Sequence, residues 1–131
     1  MVCLQRLSLL LALLWMGTLF YLSHQPTLET PQLFSGQDKL FHMLAYAVLG
    51  FLLLGARKPL VNGFSSAQVN ASILIASLYG ISDEVHQYFV PGRNADPWDW
   101  VADTLGAVIA VSLLCWLSRK WKTALVVRDG A

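Results

Sequence analysis

The sequence predicts an all-α fold, a polytopic membrane protein with four transmembrane helices in one bundle and both termini in the cytoplasm. Of its 131 residues, 56% are hydrophobic and only 13% are charged, and the mean hydropathy is +0.54. A soluble protein needs more polar surface than this to cover its core. The predicted spans, each near the ~20 residues that cross a bilayer, lie at about 4–22, 40–54, 69–89 and 98–117. We expect one membrane domain over residues 1–131.

The first segment has features of a secretory signal, but we predict that it is an uncleaved membrane anchor. Arg6 precedes the apolar run, as in a signal peptide. However, the run from Leu7 to Leu22 is longer than a usual signal core and ends in LFYLSHQP, which has no small-x-small cleavage pattern.

The four segments are separated by stretches rich in turn and cap residues. Residues 23–37 predict an irregular outer loop and residues 55–68 an inner loop. At the start of the fourth segment, DPWD predicts Asp96 as the helix N-cap, Pro97 as the first helical residue and Asp99 as the reciprocal partner of the cap.

The basic residues predict the orientation in the membrane. Seven of the nine lysines and arginines fall on one side of the four segments: Arg6, Arg57, Lys58, Arg119, Lys120, Lys122 and Arg128. By the positive-inside rule this side is cytoplasmic. Cys3 and Cys115 lie toward the same side, where thiols stay reduced, so we expect no disulfide.

Ionisable residues lie inside three of the predicted spans, at similar depths from the outer face. At 1.5 Å per residue, Asp83 lies about 12 Å and Asp103 about 9 Å below the outer helix ends, and His42 lies about 6 Å below Asp38. A charge that faces lipid costs on the order of 2.5 to 3.5 kcal/mol. We therefore expect these side chains to meet in one polar pocket.

Helical periodicity indicates which faces meet. At 100° per residue, the third segment has one apolar face, formed by Leu74, Leu78, Ile81, Val85 and Phe89. The opposite face, which we expect to contact protein, consists of Ser72, Ala76, Tyr79, Gly80, Asp83, His86 and Gln87. A stripe of small residues, which permits close helix contact, follows Asp99 and Asp103 on the fourth segment. The predicted pocket residues are Asp38, Lys39, His42, Asp83, Glu84, His86, Gln87, Arg93, Asp99 and Asp103.

The predicted pocket has more acids than bases. Six carboxylates, those of Asp38, Asp83, Glu84, Asp96, Asp99 and Asp103, face two permanent cations, Lys39 and Arg93. Protonation of carboxylates, charged histidines, water or a bound cation would each relieve the excess. For a metal, the candidate ligands are Asp83, His86 and Asp103, but the sequence requires no cofactor and has no HExxH or CxxC motif.

Three motifs together resemble the VanZ-like family of bacterial membrane proteins. They are D-K-x-x-H at Asp38, Lys39 and His42, then D-E-x-x-Q at Asp83, Glu84 and Gln87, and, after Arg93, D-x-x-x-[ND]-x-x-G at Asp99, Asp103 and Gly106. The resemblance runs from about residue 10 to 117. Asp103 stands where Asn is frequent in the family, which adds one carboxylate.

The resemblance implies a multi-pass protein of the bacterial cytoplasmic membrane with a role in the cell envelope, including reduced susceptibility to the glycopeptide teicoplanin. The expected partners are the lipid bilayer and a lipid-linked envelope component, which Lys39 and Arg93 would hold by its phosphate. We expect no nucleic-acid partner, and the sequence predicts no oligomeric state. A membrane-embedded hydrolase or transferase acting on a lipid-linked substrate is the alternative. In a third interpretation, the acidic cluster only holds the helices together.

Overall fold

The computed structural model describes residues 2–26, 33–57, 59 and 63–129, with the backbone alone for 121–129. These residues form four helices and no strands, so the all-α prediction is confirmed. The helices are α1 (Val2–Ser23), α2 (Gln37–Gly55), α3 (Ser66–Tyr88) and α4 (Pro97–Asp129). Helix α4 continues past residue 117, where the fourth apolar segment ends.

Three of these helices are long and apolar enough to cross a membrane. They are α1, α2 and the part of α4 over Pro97–Lys120. Helix α3 has 23 residues, which is sufficient length, but it is not among the three. Its lower hydropathy reflects the polar residues on one of its faces.

The helix starts follow local capping chemistry, with one correction. At α3, Ser65 Oγ accepts from the Gln68 N–H and Gln68 Oε1 accepts from the Ser65 N–H, which forms a capping box. At α4, Asp96 Oδ1 accepts from the Trp98 N–H at 2.9 Å, as predicted for an N-cap. The predicted reciprocal role of Asp99 is wrong, because Glu84 Oε2 of α3 accepts from the Asp96 N–H at 2.8 Å.

Helices α2 and α4 pack closely against each other through small residues, including those predicted on α4. A Cβ atom on Gly106 would overlap the carbonyl oxygen of Met43, and one on Gly50 would lie 3.0 Å from the Cα of Ala107. Ala107 is fully buried. The two backbones therefore approach closely only because these positions lack bulk.

Hydrogen bonds to main-chain carbonyls hold α1 against α2 and α3. Ser8 Oγ donates to Leu52 O and Trp15 Nε1 donates to Ala45 O, both at 2.9 Å. Tyr79 Oη donates to Met16 O at 2.6 Å. Early residues of α1 thus contact late residues of α2, so the two helices are antiparallel.

The bundle has a basic end and an acidic end. Arg57 Nε donates to Ser72 Oγ near the start of α3, and Gly63 packs beside Ser118 and Arg119 of α4. The acidic motifs lie at the opposite ends of the same helices. The predicted loops at 23–37 and 55–68 fall partly outside the described residues, as do Lys58 and the side chains of Lys122 and Arg128.

The faces predicted for α3 agree with the structure except at three residues: Tyr79 and His86 are only partly buried, and Glu84, which was not placed on the inner face, is buried. Its buried residues are Ser72, Ala76, Gly80, Asp83, Glu84 and Gln87. Leu74, Leu78, Ile81, Val85 and Phe89 are all exposed on the outside of the bundle. The polar face therefore lies inside the bundle and the apolar face outside.

Candidate functional site

Lys39 joins the first turns of α2 and α4. Its ammonium group donates to Asp96 Oδ2 at 2.7 Å, to Asp99 Oδ1 at 3.0 Å and to Asp38 Oδ2 at 3.1 Å. The hydrogen bond from Lys39 holds the pKa of Asp96 below its usual value. Since an ammonium group has three donors, these carboxylates occupy all of them.

His42 lies between two carboxylates one turn deeper. Its Nδ1 is 3.0 Å from Asp103 Oδ1, and its Nε2 is 3.9 Å from Asp99 Oδ2. Asp103 is completely buried between the helices. Through Lys39 and His42, the first motif on α2 thus contacts both acids of the α4 motif, Asp99 and Asp103.

The adjacent acids of α3 point in different directions. Asp83 Oδ2 accepts from Gln87 Nε2 at 3.2 Å, on the side that faces α1 and α2. Glu84 faces the start of α4 through its bond to the Asp96 N–H. Consecutive helical residues differ by about 100° in direction, so one helix supplies acids to two neighbours.

A cavity of about 260 Å³ lies between α1, α2 and α3 at the acidic end. Its lining is amphipathic. The apolar part consists of Leu19, Leu22, Phe41, Ala45 and Tyr46. The polar part consists of Ser23, Asp38, His42, Asp83, Gln87 and Arg93.

Arg93 borders the cavity and forms no ion pair with any acid among the residues that the structure describes. Its Nη2 donates to Leu22 O at 2.8 Å, and its buried Nε has no hydrogen-bond partner among the described residues. Lys39, the other cation expected to hold phosphate, directs its three donors to carboxylates in this structure. Arg93 is therefore the cation that borders the cavity.

The predicted metal ligands Asp83, His86 and Asp103 do not form one group. His86 turns toward the end of α1, where its Nε2 lies 3.2 Å from His24 Nδ1 and its ring centroid 4.5 Å from that of Phe20. Instead, ligand atoms of His42, Glu84 and Asp103 all lie within 4.8 Å of one another. The prediction for His86 was wrong because its direction on α3 differs from that of Asp83.

The list of predicted pocket residues did not contain Tyr46, which lies next to the site. Its side chain is almost fully buried, lines the cavity and lies with its ring 6.3 Å from that of Tyr79. Its hydroxyl has no hydrogen-bond partner in the described part of the chain. The available signal was its spacing, since Tyr46 follows His42 by four residues on α2.

The comparisons with known proteins identify a family and no individual relative. The family model described as VanZ/LLP1 matches residues 8–118, a range that contains every predicted pocket residue. No curated protein matches the chain, and no solved structure matches it. Because the family match spans most of the 131 residues, the chain belongs to the VanZ/LLP1 family.

Proposed function

We propose that the chain is a multi-pass protein of the bacterial cytoplasmic membrane, with residues 1–131 as one VanZ-like domain, four spans and both termini in the cytoplasm. The fourth span in this proposal is α3, whose exposed side is apolar and whose polar side is buried. The location of arginines at one end of the bundle supports a cytoplasmic basic end. The acidic end then faces outward.

A reporter of compartment tests this topology. Fused after Ala131, a reporter that is active only in the cytoplasm should be active, and alkaline phosphatase, which needs an oxidising compartment, should be inactive. Fusions after Ser35 should give the opposite pair of signals. Periplasmic activity after Ala131 would contradict the proposal.

The proposed function is binding of an envelope lipid or a lipid-linked envelope precursor by its phosphate-bearing head group. The amphipathic cavity at the acidic end is the observation that carries this proposal. Its volume of about 260 Å³ is near the lower limit of ligand sites, which suits a head group rather than a whole lipid. Arg93 supplies a guanidinium for phosphate, and Asp83, Gln87 and His42 supply acceptors for hydroxyl or amine groups.

The family resemblance suggests that such binding acts on the cell envelope, with reduced teicoplanin susceptibility as one result. A membrane protein that holds a precursor or lipid head group changes what reaches the envelope surface. Loss of binding should therefore lower the teicoplanin concentration that inhibits a strain that carries the gene.

Replacement of Arg93 by glutamine tests the head-group proposal. A charge-assisted hydrogen bond contributes about 1.5 to 3 kcal/mol, so affinity for a polyprenyl phosphate should fall roughly ten- to hundredfold. Native mass spectrometry of protein in nanodiscs measures this binding. Lys120→Gln, which removes an exposed cation near Trp116, is the matched control and should bind as the parent does. Equal binding by parent, Arg93→Gln and control would contradict the proposal.

A catalytic function is the second candidate, favoured by the position of His42 between Asp99 and Asp103. A histidine oriented by a carboxylate is suited to general base catalysis. Turnover distinguishes the two functions, because an enzyme releases product whereas a binding protein saturates at a fixed stoichiometry. A solely structural cluster would show neither behaviour.

A further inference from the structure

The side chains of His42, Glu84 and Asp103 come from three different helices, and those of Glu84 and Asp103 are buried. They belong to α2, α3 and α4, and their ligand atoms all lie within 4.8 Å of one another. Asp103 is 0% exposed and Glu84 is 8% exposed. Any charge on these carboxylates is therefore largely removed from solvent.

In the carboxylates of Glu84 and Asp103, one oxygen has a polar partner and the other has none among the described residues. Asp103 Oδ1 lies 3.0 Å from His42 Nδ1, and Glu84 Oε2 accepts from the Asp96 N–H at 2.8 Å. Asp103 Oδ2 and Glu84 Oε1 are buried and receive no hydrogen bond from any residue in the described ranges. An unsatisfied buried polar oxygen is costly, and one positively charged partner between the two side chains would satisfy both oxygens.

The direction of the unpartnered oxygen on Asp103 supports a common site. A Cβ atom at Gly80 would lie 3.0 Å from Asp103 Oδ2, so this oxygen points toward α3. Glu84 is one turn farther along the same helix. Gly80 therefore leaves room for the carboxylate of Asp103 to face α3.

The local charge is not balanced by Lys39. Its ammonium group binds Asp38, Asp96 and Asp99, and it makes no ion pair with Glu84 or Asp103 among the residues that the structure describes. A divalent cation would supply the missing positive charge and would bind both unpartnered oxygens.

We propose that His42, Glu84 and Asp103 bind one divalent transition-metal ion, of the class of Mn²⁺ or Zn²⁺. One imidazole and two carboxylates suit such ions, because imidazole favours Zn²⁺ and carboxylates favour Mn²⁺. Ligand atoms about 2.0 to 2.2 Å from a metal lie closer together than 4.8 Å, so binding needs small side-chain movements. The proposed site does not depend on head-group binding.

In the proposed site, hydrogen bonds to the carboxylate oxygens that do not bind the metal would orient the ligands. Groups that orient metal ligands commonly do so through hydrogen bonds to atoms not bound to the metal. The Asp96 N–H would orient Glu84 in this way. Three protein ligands also leave coordination positions open, as in zinc sites that bind water or substrate.

Metal analysis of the purified full-length protein tests the proposal. The protein is prepared with an affinity tag free of histidine, stripped with EDTA and dialysed against micromolar Mn²⁺ or Zn²⁺. We expect about one ion per chain for at least one metal, and at least a tenfold lower occupancy in Asp103→Asn and in Glu84→Gln. The Asp103→Asn variant is expected to fold because Asn has nearly the same size and shape as Asp.

A second histidine pair provides the matched control. His24 and His86 lie 3.2 Å apart near the end of α1 and offer two imidazoles for adventitious binding. In the proposed site, the double variant His24→Gln with His86→Gln should keep the ion. If the carboxylate variants do not fold, Mn²⁺ electron paramagnetic resonance of the parent replaces them, with nitrogen coupling expected and lost in His42→Gln. Absence of binding by folded parent, or loss of the ion only in the control, would overturn the proposal.

Discussion

Replacement of Gly106 by alanine is expected to give the largest loss of stability of any single methyl addition in the bundle. The added Cβ would overlap the carbonyl oxygen of Met43, and a backbone atom of a packed helix cannot rotate away as a side chain does. Overpacking costs about 1 to 3 kcal/mol. We expect the upper end of this range, with a fall in melting temperature on the order of 10 °C in detergent.

Gly17 provides the control for this substitution. An added Cβ there meets no atom within 4 Å, and Gly17 also lies inside a helix. Gly17→Ala should leave the melting temperature unchanged or raise it, since alanine favours a helix over glycine by about 0.5 to 1 kcal/mol. Equal melting temperatures for the two variants would contradict the close α2–α4 contact.

Replacement of Lys39 by glutamine is expected to separate the first turns of α2 and α4. It leaves three carboxylates close together without their shared cation. Breaking a buried ion pair costs about 3 to 5 kcal/mol. Because the Lys39 side chain is 37% exposed and water screens it, we expect about 1 to 2 kcal/mol, measured by thermal unfolding in detergent.

Double variants identify the partner of Lys39. Asp99 is bonded to Lys39 and nearly buried, so Lys39→Gln with Asp99→Asn should be less destabilised than the sum of the single variants, by about 1 kcal/mol. Asp83 is bonded to Gln87, so the effects of Lys39→Gln and Asp83→Asn should add. Coupling with Asp83 and none with Asp99 would contradict the ion pairs described above.

The helices and their buried faces could be predicted because these features depend on local sequence. Apolar length, the Asp96 cap and the 100° periodicity of α3 are properties of neighbouring residues. For the same reason the small residues around Gly106 were identifiable as a contact face. The carboxylates, histidine and lysine of the three motifs were likewise predicted to converge, because apolar surroundings leave charged groups few other places.

The amino-acid sequence alone did not predict which of these polar groups contact each other. Of the six predicted carboxylates, Lys39 binds Asp38 and two at the start of α4, and Glu84 rather than Asp99 completes the cap of α4. Such pairs depend on how far each helix rotates and slides against its neighbour. A rotation of one residue position, about 100°, is enough to exchange Asp83 for Glu84.

The sequence by itself determined that this is an all-helical, strongly apolar chain with the three motifs of its family. Composition, motif spacing and helical periodicity are properties of the sequence and do not depend on how the helices pack. Only the tertiary structure decided that His86 turns to His24 and that Arg93 rather than Lys39 borders the cavity. It also decided that the ligand atoms of His42, Glu84 and Asp103 lie close together. Each of these contacts joins residues from different helices. Their distances are set by packing, including the close approach at Gly106, and no local pattern encodes that geometry.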